Sequence, residues 1–143
     1  MSEGFDTQSL ARMVRSMPPE QLAEGLRLNR EAILGEVFRR FSDQLSAAGR
    51  RQEAVIKWKI GEGSGRGGYD RWFVVLRDGR CESGLDLDLR PRVTFTVGPL
   101  DFLRLVTGNA DPTRLWLRRR LGIRGDLRFA ARMPSFFTRP TGA

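Results

Sequence analysis

The sequence predicts an α+β fold in which helices pack on a sheet joined mainly by hairpins. Two observations carry this. Apolar residues recur with a helical period up to about residue 45 and with a period of two from about 53 to 97; the helical period returns after Pro99. The order of elements reads ααββββααβα, and hairpin connections predominate among the strands. A chain of 143 residues, 40% of them hydrophobic, fits one domain and can bury a core without disulfides or metal.

The elements follow in order. In SMPPEQLAEGLRL, Ser16 or the prolines offer a helix start, and Leu22 and Leu26 stand at i, i+4. NREAILGEVFRRFSDQL then sets Ile33, Leu34, Val37, Phe38, Phe41 and Leu45 on one stripe, with Arg39, Arg40 and Asp43 on the other side. SAAGRRQ ends that helix. EAVIKWKI alternates, with Ala54, Ile56, Trp58 and Ile60 on one face and Lys57 and Lys59 on the other. GEGSGRGGY could suggest a phosphate cradle, but the strand DRWFVVLR follows it where a phosphate loop needs a helix, so it reads as a long hairpin loop. Asp78-Gly79 marks a tight hairpin turn. The third strand is expected over residues 80–89, alternating Cys81, Ser83, Leu85, Leu87 and Leu89, until Pro91 breaks it. RVTFTV alternates again through Val93, Phe95 and Val97. In PLDFLRLVTG, Leu100, Leu103 and Val106 form the expected inner stripe with Phe102 at its flank, and Gly108 the C-cap. Asp111-Pro112 reads as an N-cap and first helical position for a helix carrying TRLWLRRR. LGIRGD is a short fifth strand. LRFAARMPSFF is a last amphipathic helix, with Phe129 and Met133 opposite Arg128 and Arg132 and its end loosened by Pro134.

Composition removes several kinds of chemistry. The chain has no histidine, the commonest general base and metal ligand, and Cys81 is its one cysteine, so neither a disulfide nor a thiolate metal site is expected. Cys81 falls in the apolar alternation and reads as a small buried hydrophobe. Asp86 and Asp88 lie on one face of the expected strand instead of flanking a substrate. No catalytic residue, metal or cofactor is expected. No apolar run is long enough for a membrane span, the N-terminus lacks the apolar centre of a secretory signal, and RPTGA is not a peroxisomal address, which points to the cytoplasm. Twenty-three of the 25 basic residues are arginine, which hints at a GC-rich bacterial genome. Net charge is +8, unevenly placed: residues 114–143 hold eight arginines and one acid, Asp126. Such an end attracts phosphate on nucleic acid or lipid head groups, or solubilises a face.

The words WFVVLRDGR, VTFTVGPLDFLRLVTGNADP and LGIRGDLRFAARMPSFF, in this order and spacing, resemble the sterol carrier protein type-two family over about residues 30 to 137. The stretch from Thr107-Gly108 to Gly125-Asp126 is the specific part. The resemblance implies a short helical extension over residues 1–29 on a lipid-binding domain over 30–143, the whole forming one compact unit. It further implies a five-stranded, largely antiparallel sheet covered by helices, with an apolar tunnel between them. The tunnel would hold a sterol, fatty acid, acyl-CoA, phospholipid or isoprenoid chain, without catalysis. The side chains expected to line it are Trp58, Trp72, Phe95, Leu103, Val106, Leu115, Trp116, Leu117, Phe129, Met133, Phe136 and Phe137, all of which serve equally well as plain core. Met133, Pro134, Phe136 and Phe137 would form a movable lid. Where the family carries Ser-Gly or Gln-Gly, this chain has Arg118-Arg119; a glycine there allows close backbone approach and an arginine does not. Arg114, Arg118 and Arg119 are therefore expected to ring the tunnel mouth and hold an anionic head group, with Arg114 and Arg118 paired at i, i+4. Other partners consistent with this reading are an anionic membrane surface and a lipid-modifying enzyme. A nucleic-acid-binding module using the Arg114–Arg132 patch is the alternative; it is weighed down by Trp116, the one aromatic near the run, which Leu115 and Leu117 place in the interior.

Overall fold

The computed structural model describes residues 7–137. Helices α1 (Thr7–Ser16), α2 (Pro19–Arg40) and α3 (Ala47–Arg50) precede strands β1 (Ala54–Ile60), β2 (Asp70–Arg77), β3 (Arg80–Leu85) and β4 (Val93–Val97). Then follow α4 (Pro99–Val106), α5 (Pro112–Leu117), β5 (Leu121–Gly125) and α6 (Leu127–Arg132), with single 3-10 turns at Phe41–Gln44, Arg66–Gly68 and Met133–Phe136. The α+β class and the five strands agree with the sequence reading. The expectations for residues 1–6 and for the RPTGA terminus lie outside the described residues.

The sheet order is β3-β2-β1-β4-β5. Its pairs are antiparallel except β1–β4, which is parallel because the chain leaves β3 and crosses back to the free edge of β1. Asp78 and Gly79 both have positive φ (55° and 73°), the type I′ geometry that matches the twist of the β2–β3 hairpin. Register places Leu85, Trp72, Trp58, Phe95 and Ile123 side by side across all five strands. Helices pack on this face. Phe38 of α2 stacks on Trp72 (4.7 Å between centroids) and on Phe102 of α4 (5.1 Å), and Trp58 stacks on Phe95 (4.5 Å) and meets Phe102 edge-on. These rings join the two layers, each pair adding about 0.5–1.5 kcal/mol beyond its buried area. The opposite face carries Lys57, Lys59 and Arg71 with Thr94 beside Arg124. Partial burial there, then the charges of Arg71 and Lys59, pull the Lys57 ammonium below its ordinary range.

The first helices complete the core. Ala11, Val14, Leu22 and Leu26 are buried, and Asn109 Nδ2 donates to the Ala11 carbonyl at 3.0 Å. Helix α2 runs through residue 30, with Asn29 (φ −126°, ψ 30°) leaving helical geometry midway.

Several elements differ from expectation. β3 stops at Leu85: the Asp86 N–H still donates in register to the Arg71 carbonyl at 2.8 Å, but its φ of 56° turns the chain out of the strand. Leu87 and Leu89 are consequently outside the ladder and half exposed, and Asp86 and Asp88 share no strand face. SAAGRRQ does not merely end a helix: Ser46 caps α3 by accepting from the Gly49 N–H. On α4 the buried residues are Pro99, Phe102 and Leu103, while Leu100 and Val106 are only half-buried. The last helix is cut at Arg132 and continues as a 3-10 turn, since Pro134 removes a donor from the next turn.

Candidate functional site

Between the helix-facing side of the sheet and helices α4, α5 and α6 lies a cavity of about 440 Å³. Ile56, Trp58, Val74, Phe95, Leu121 and Ile123 form its floor, and the ends of α4 (Leu105, Val106) and α5 (Pro112, Thr113, Trp116) one wall. The facing wall comes from Leu127, Ala130 and Ala131 on α6 and from Met133, Pro134 and Phe137, closed by Phe41 and Gln44. Two features of the sequence leave this space open. α5 and α6 are only six residues each, and α6 presents the small pair Ala130-Ala131 to the sheet where larger side chains would fill the gap. Gln44 and Thr113 are polar, uncharged side chains at the wall, and among the described residues no charged side chain borders it. Trp58 buries its indole N–H without a hydrogen-bond partner among the described residues. Trp116 (49% exposed) and Leu127 (56% exposed) both border the cavity and are open to solvent.

The motif Gly125-Asp126 anchors one side of this space. Gly125 has φ +109°, and a Cβ there would lie 2.5 Å from the Arg92 carbonyl oxygen, so only glycine fits. Asp126 then caps α6 by accepting from the Phe129 N–H at 2.9 Å, and Arg92 Nε donates to its other oxygen at 2.9 Å. The Phe129 N–H, then Arg92, holds the Asp126 carboxyl below the usual range. On the other side, buried Thr107 donates to the Leu103 carbonyl (2.7 Å), and Asp111 caps α5 through the Thr113 N–H. Together these caps set the directions in which α5 and α6 leave the sheet.

Of the side chains expected to line a tunnel, Trp58, Phe95, Val106, Trp116, Met133 and Phe137 border the cavity. Trp72, Leu103, Leu115, Leu117, Phe129 and Phe136 do not. Trp72 shares the sheet face but is taken by its stack on Phe38. Leu103 and Leu115 point into the core, 2% and 7% exposed. Phe129 and Phe136 pack on each other at 5.2 Å, with Arg92 over the Phe129 ring at 4.3 Å. Leu117 lies outside: two helical positions after Leu115 turn it by about 200°, and it is 67% exposed. Periodicity finds which residues are buried but does not separate a cavity wall from a filled core. Ile56 was available from alternation with Trp58, whereas Ala130, Ala131 and Leu121 carry no bulk or motif that marks a wall.

The segment expected as a lid is pinned. Ser46 donates from its N–H to the Phe136 carbonyl (2.8 Å) and from Oγ to the Ser135 carbonyl (2.6 Å), and Leu45 bridges Phe137. The three arginines expected at the mouth do not border the cavity either. Arg114 is two residues from Trp116 and so projects from the opposite side of α5. The helix stops at Leu117, where Arg119 N–H donates to the Trp116 carbonyl (3.1 Å) and Arg120 N–H to the Leu115 carbonyl (2.8 Å), a Schellman ending with Arg119 at φ +60°. Arg118 N–H donates to the Arg114 carbonyl at 3.0 Å, a bond of the backbone. At position 119 the backbone is left-handed, the conformation that glycine adopts most readily. The arginine with an acidic partner here is Arg120, which grips Asp101 through two bonds of 2.8 and 2.9 Å.

Cys81 is buried as expected, and desolvation, then the nearby Glu82, pushes its thiol up to about 12. Among the described residues no group of acids and thiols could hold a metal, and no helix is long and apolar enough to cross a membrane.

A five-stranded open sheet, helices on one face and an apolar cavity between them define a class of small α+β domains built around an internal space. Within that class the chain belongs to the SCP-2 sterol transfer family, whose model matches residues 34–138. Sterol carrier protein 2 of Bos taurus is 20% identical over 137 residues, 96% of this chain and 25% of that protein. The chain therefore spans about a quarter of the length of the curated relatives it matches. Among solved structures, Aedes aegypti sterol carrier protein 2 in complex with palmitate superposes with a TM-score of 0.54 at 21% identity, covering 71% of this chain and 90% of that one. The sec-alkylsulfatase Pisa1 from Pseudomonas sp. matches with a TM-score of 0.61 at 11% identity, over 74% of this chain and 16% of that one.

Proposed function

We propose that the chain binds one lipid chain in the cavity under α5 and α6 and does no chemistry on it. The observation that carries this reading is the cavity, about 440 Å³ of space lined mainly by aliphatic and aromatic side chains and, among the described residues, by no charged group. The volume falls in the range of roughly 300–1,000 Å³ typical of small-molecule sites. A wall of this kind rewards burial of methylenes at about 0.8 kcal/mol each and offers no titratable side chain for general acid–base work. The palmitate complex of the Aedes aegypti relative supports an acyl chain as occupant. A neutral sterol or isoprenoid suits the same wall, and a charged head group belongs outside it. Residues 30–143 form the binding domain in this reading. Residues 1–29 are its extension, and the buried side chains of that extension brace α4.

Native mass spectrometry of full-length protein purified without detergent tests this. The expected spectrum contains a non-covalent adduct of lipid mass that dissociates on denaturation. A spectrum of bare protein, unchanged after incubation with fatty acids and sterols, contradicts the proposal.

A further inference from the structure

We infer that the cavity mouth is a docking surface for an anionic lipid bilayer, with Trp116, Leu117 and Leu127 entering the interface and Arg118, Arg119 and Arg128 meeting the head groups. The inference rests on the lipid-binding reading and adds the source from which the cavity is loaded. Trp116, Leu117 and Leu127 are 49%, 67% and 56% exposed, and the first and last of them also border the cavity. Exposure of large apolar side chains is unfavourable unless another surface covers them. The flanking charge says which surface. Residues 112–132 carry seven arginines against the single acid Asp126, and that acid is already held by Arg92. Arg118, Arg119 and Arg128 directly follow Leu117 and Leu127 in the chain and make no ion pair among the described residues. A tryptophan and leucines beside unpaired arginines is the composition that sits at a membrane interface, and basic residues near a negative leaflet each add attraction. Single-stranded nucleic acid would use the charge but leave the aliphatic Leu117 and Leu127 with nothing to stack on. A second basic surface, the open sheet face with Lys57, Lys59 and Arg71, none of which borders the cavity, serves as the internal control.

Sedimentation of the full chain with phosphatidylcholine vesicles, with and without phosphatidylglycerol, tests the assignment. Binding is expected only to the phosphatidylglycerol vesicles and should weaken with salt. A blue shift in tryptophan emission should accompany it and be lost in Trp116→Phe. Two independent variants, Trp116→Ser with Leu127→Ser and Arg118→Ser with Arg119→Gly and Arg128→Ser, should each weaken binding by about tenfold or more. Lys57→Gln with Lys59→Gln and Arg71→Gln should leave it unchanged. Absence of binding overturns the inference, as does loss in the sheet-face variant but not in the mouth variants. So does tighter binding to single-stranded DNA, lost in the arginine variant. Titration of a soluble fluorescent fatty acid without vesicles separates the two claims. If that titration succeeds while vesicle binding is absent, only the docking surface falls; if it fails in the native chain, the lipid-binding reading falls with it.

Discussion

At the scale of single residues, Arg119 occupies a backbone position that the local geometry would give to glycine. Its φ of +60° closes the α5 Schellman ending, and a left-handed conformation costs a side chain with a Cβ roughly 1–2 kcal/mol. Arg119→Gly is therefore expected to raise stability by about 1 kcal/mol in urea unfolding, less the glycine's larger entropy in the unfolded chain. A loss of stability would show that the arginine side chain does structural work not visible in its contacts. The run of three arginines announced a charged surface in the sequence, but not that the helix ends one residue before it. That ending follows from backbone bonds to Leu115 and Trp116, which composition does not encode. Cys81 was legible, because alternation put it with the buried set. With its thiol pushed from ~8.5 up to about 12, it should resist alkylation in the native state at pH 8 and react on unfolding. Because the folded thiol keeps its proton longer than the unfolded one, the stabilising difference is fully present below ~8.5 and is lost as pH rises through about 12. Rapid native-state labelling at pH 8 would place the thiol at the surface.

At the scale of elements, the Met133–Phe137 segment shows what the sequence withholds. Pro134 marks a broken helix, and a broken helix at a chain end reads as mobile. What fixes it is Ser46, 89 residues away from Ser135, a contact for which neither stretch carries a signal. The packing is tight at Gly49, where an added Cβ would run into the Phe136 carbonyl and the Leu45 side chain. Gly49→Ala should destabilise the fold by about 1–3 kcal/mol, the range for overpacking a tight site, measured by thermal or urea unfolding. A neutral substitution would mean that the segment yields easily and would restore the lid. The alternation through Leu87 and Leu89 carries β3 four residues too far for a related reason: the left-handed turn at Asp86 (φ 56°) ends the ladder, and alternation does not record it. By contrast β1, β2 and β4 were readable, since the Ile56-Trp58-Ile60 and Val93-Phe95-Val97 alternations are buried on the side they indicate.

For the whole molecule, the class and the five strands follow from where the period changes, and helix-on-sheet layering follows from burying one face of each. The cavity does not follow. Trp58, Phe95 and Met133 line it while Phe129 and Phe136 fill the core beside it, although all five are bulky apolar residues at regular spacing. The difference is made by an absence of bulk at Ala130 and Ala131 and by the angles that Asp111 and Asp126 impose on two short helices, and an apolar pattern records neither. Filling that space therefore tests the account most directly. A soluble fluorescent fatty acid is titrated against the native chain and against Ala130→Phe, with thermal melts run on both. Saturable binding by the native chain is expected, weakened about tenfold or more in Ala130→Phe, whose melting temperature is unchanged or raised because the added ring occupies empty space. No binding by the native chain, or equal binding by a folded Ala130→Phe, would contradict it.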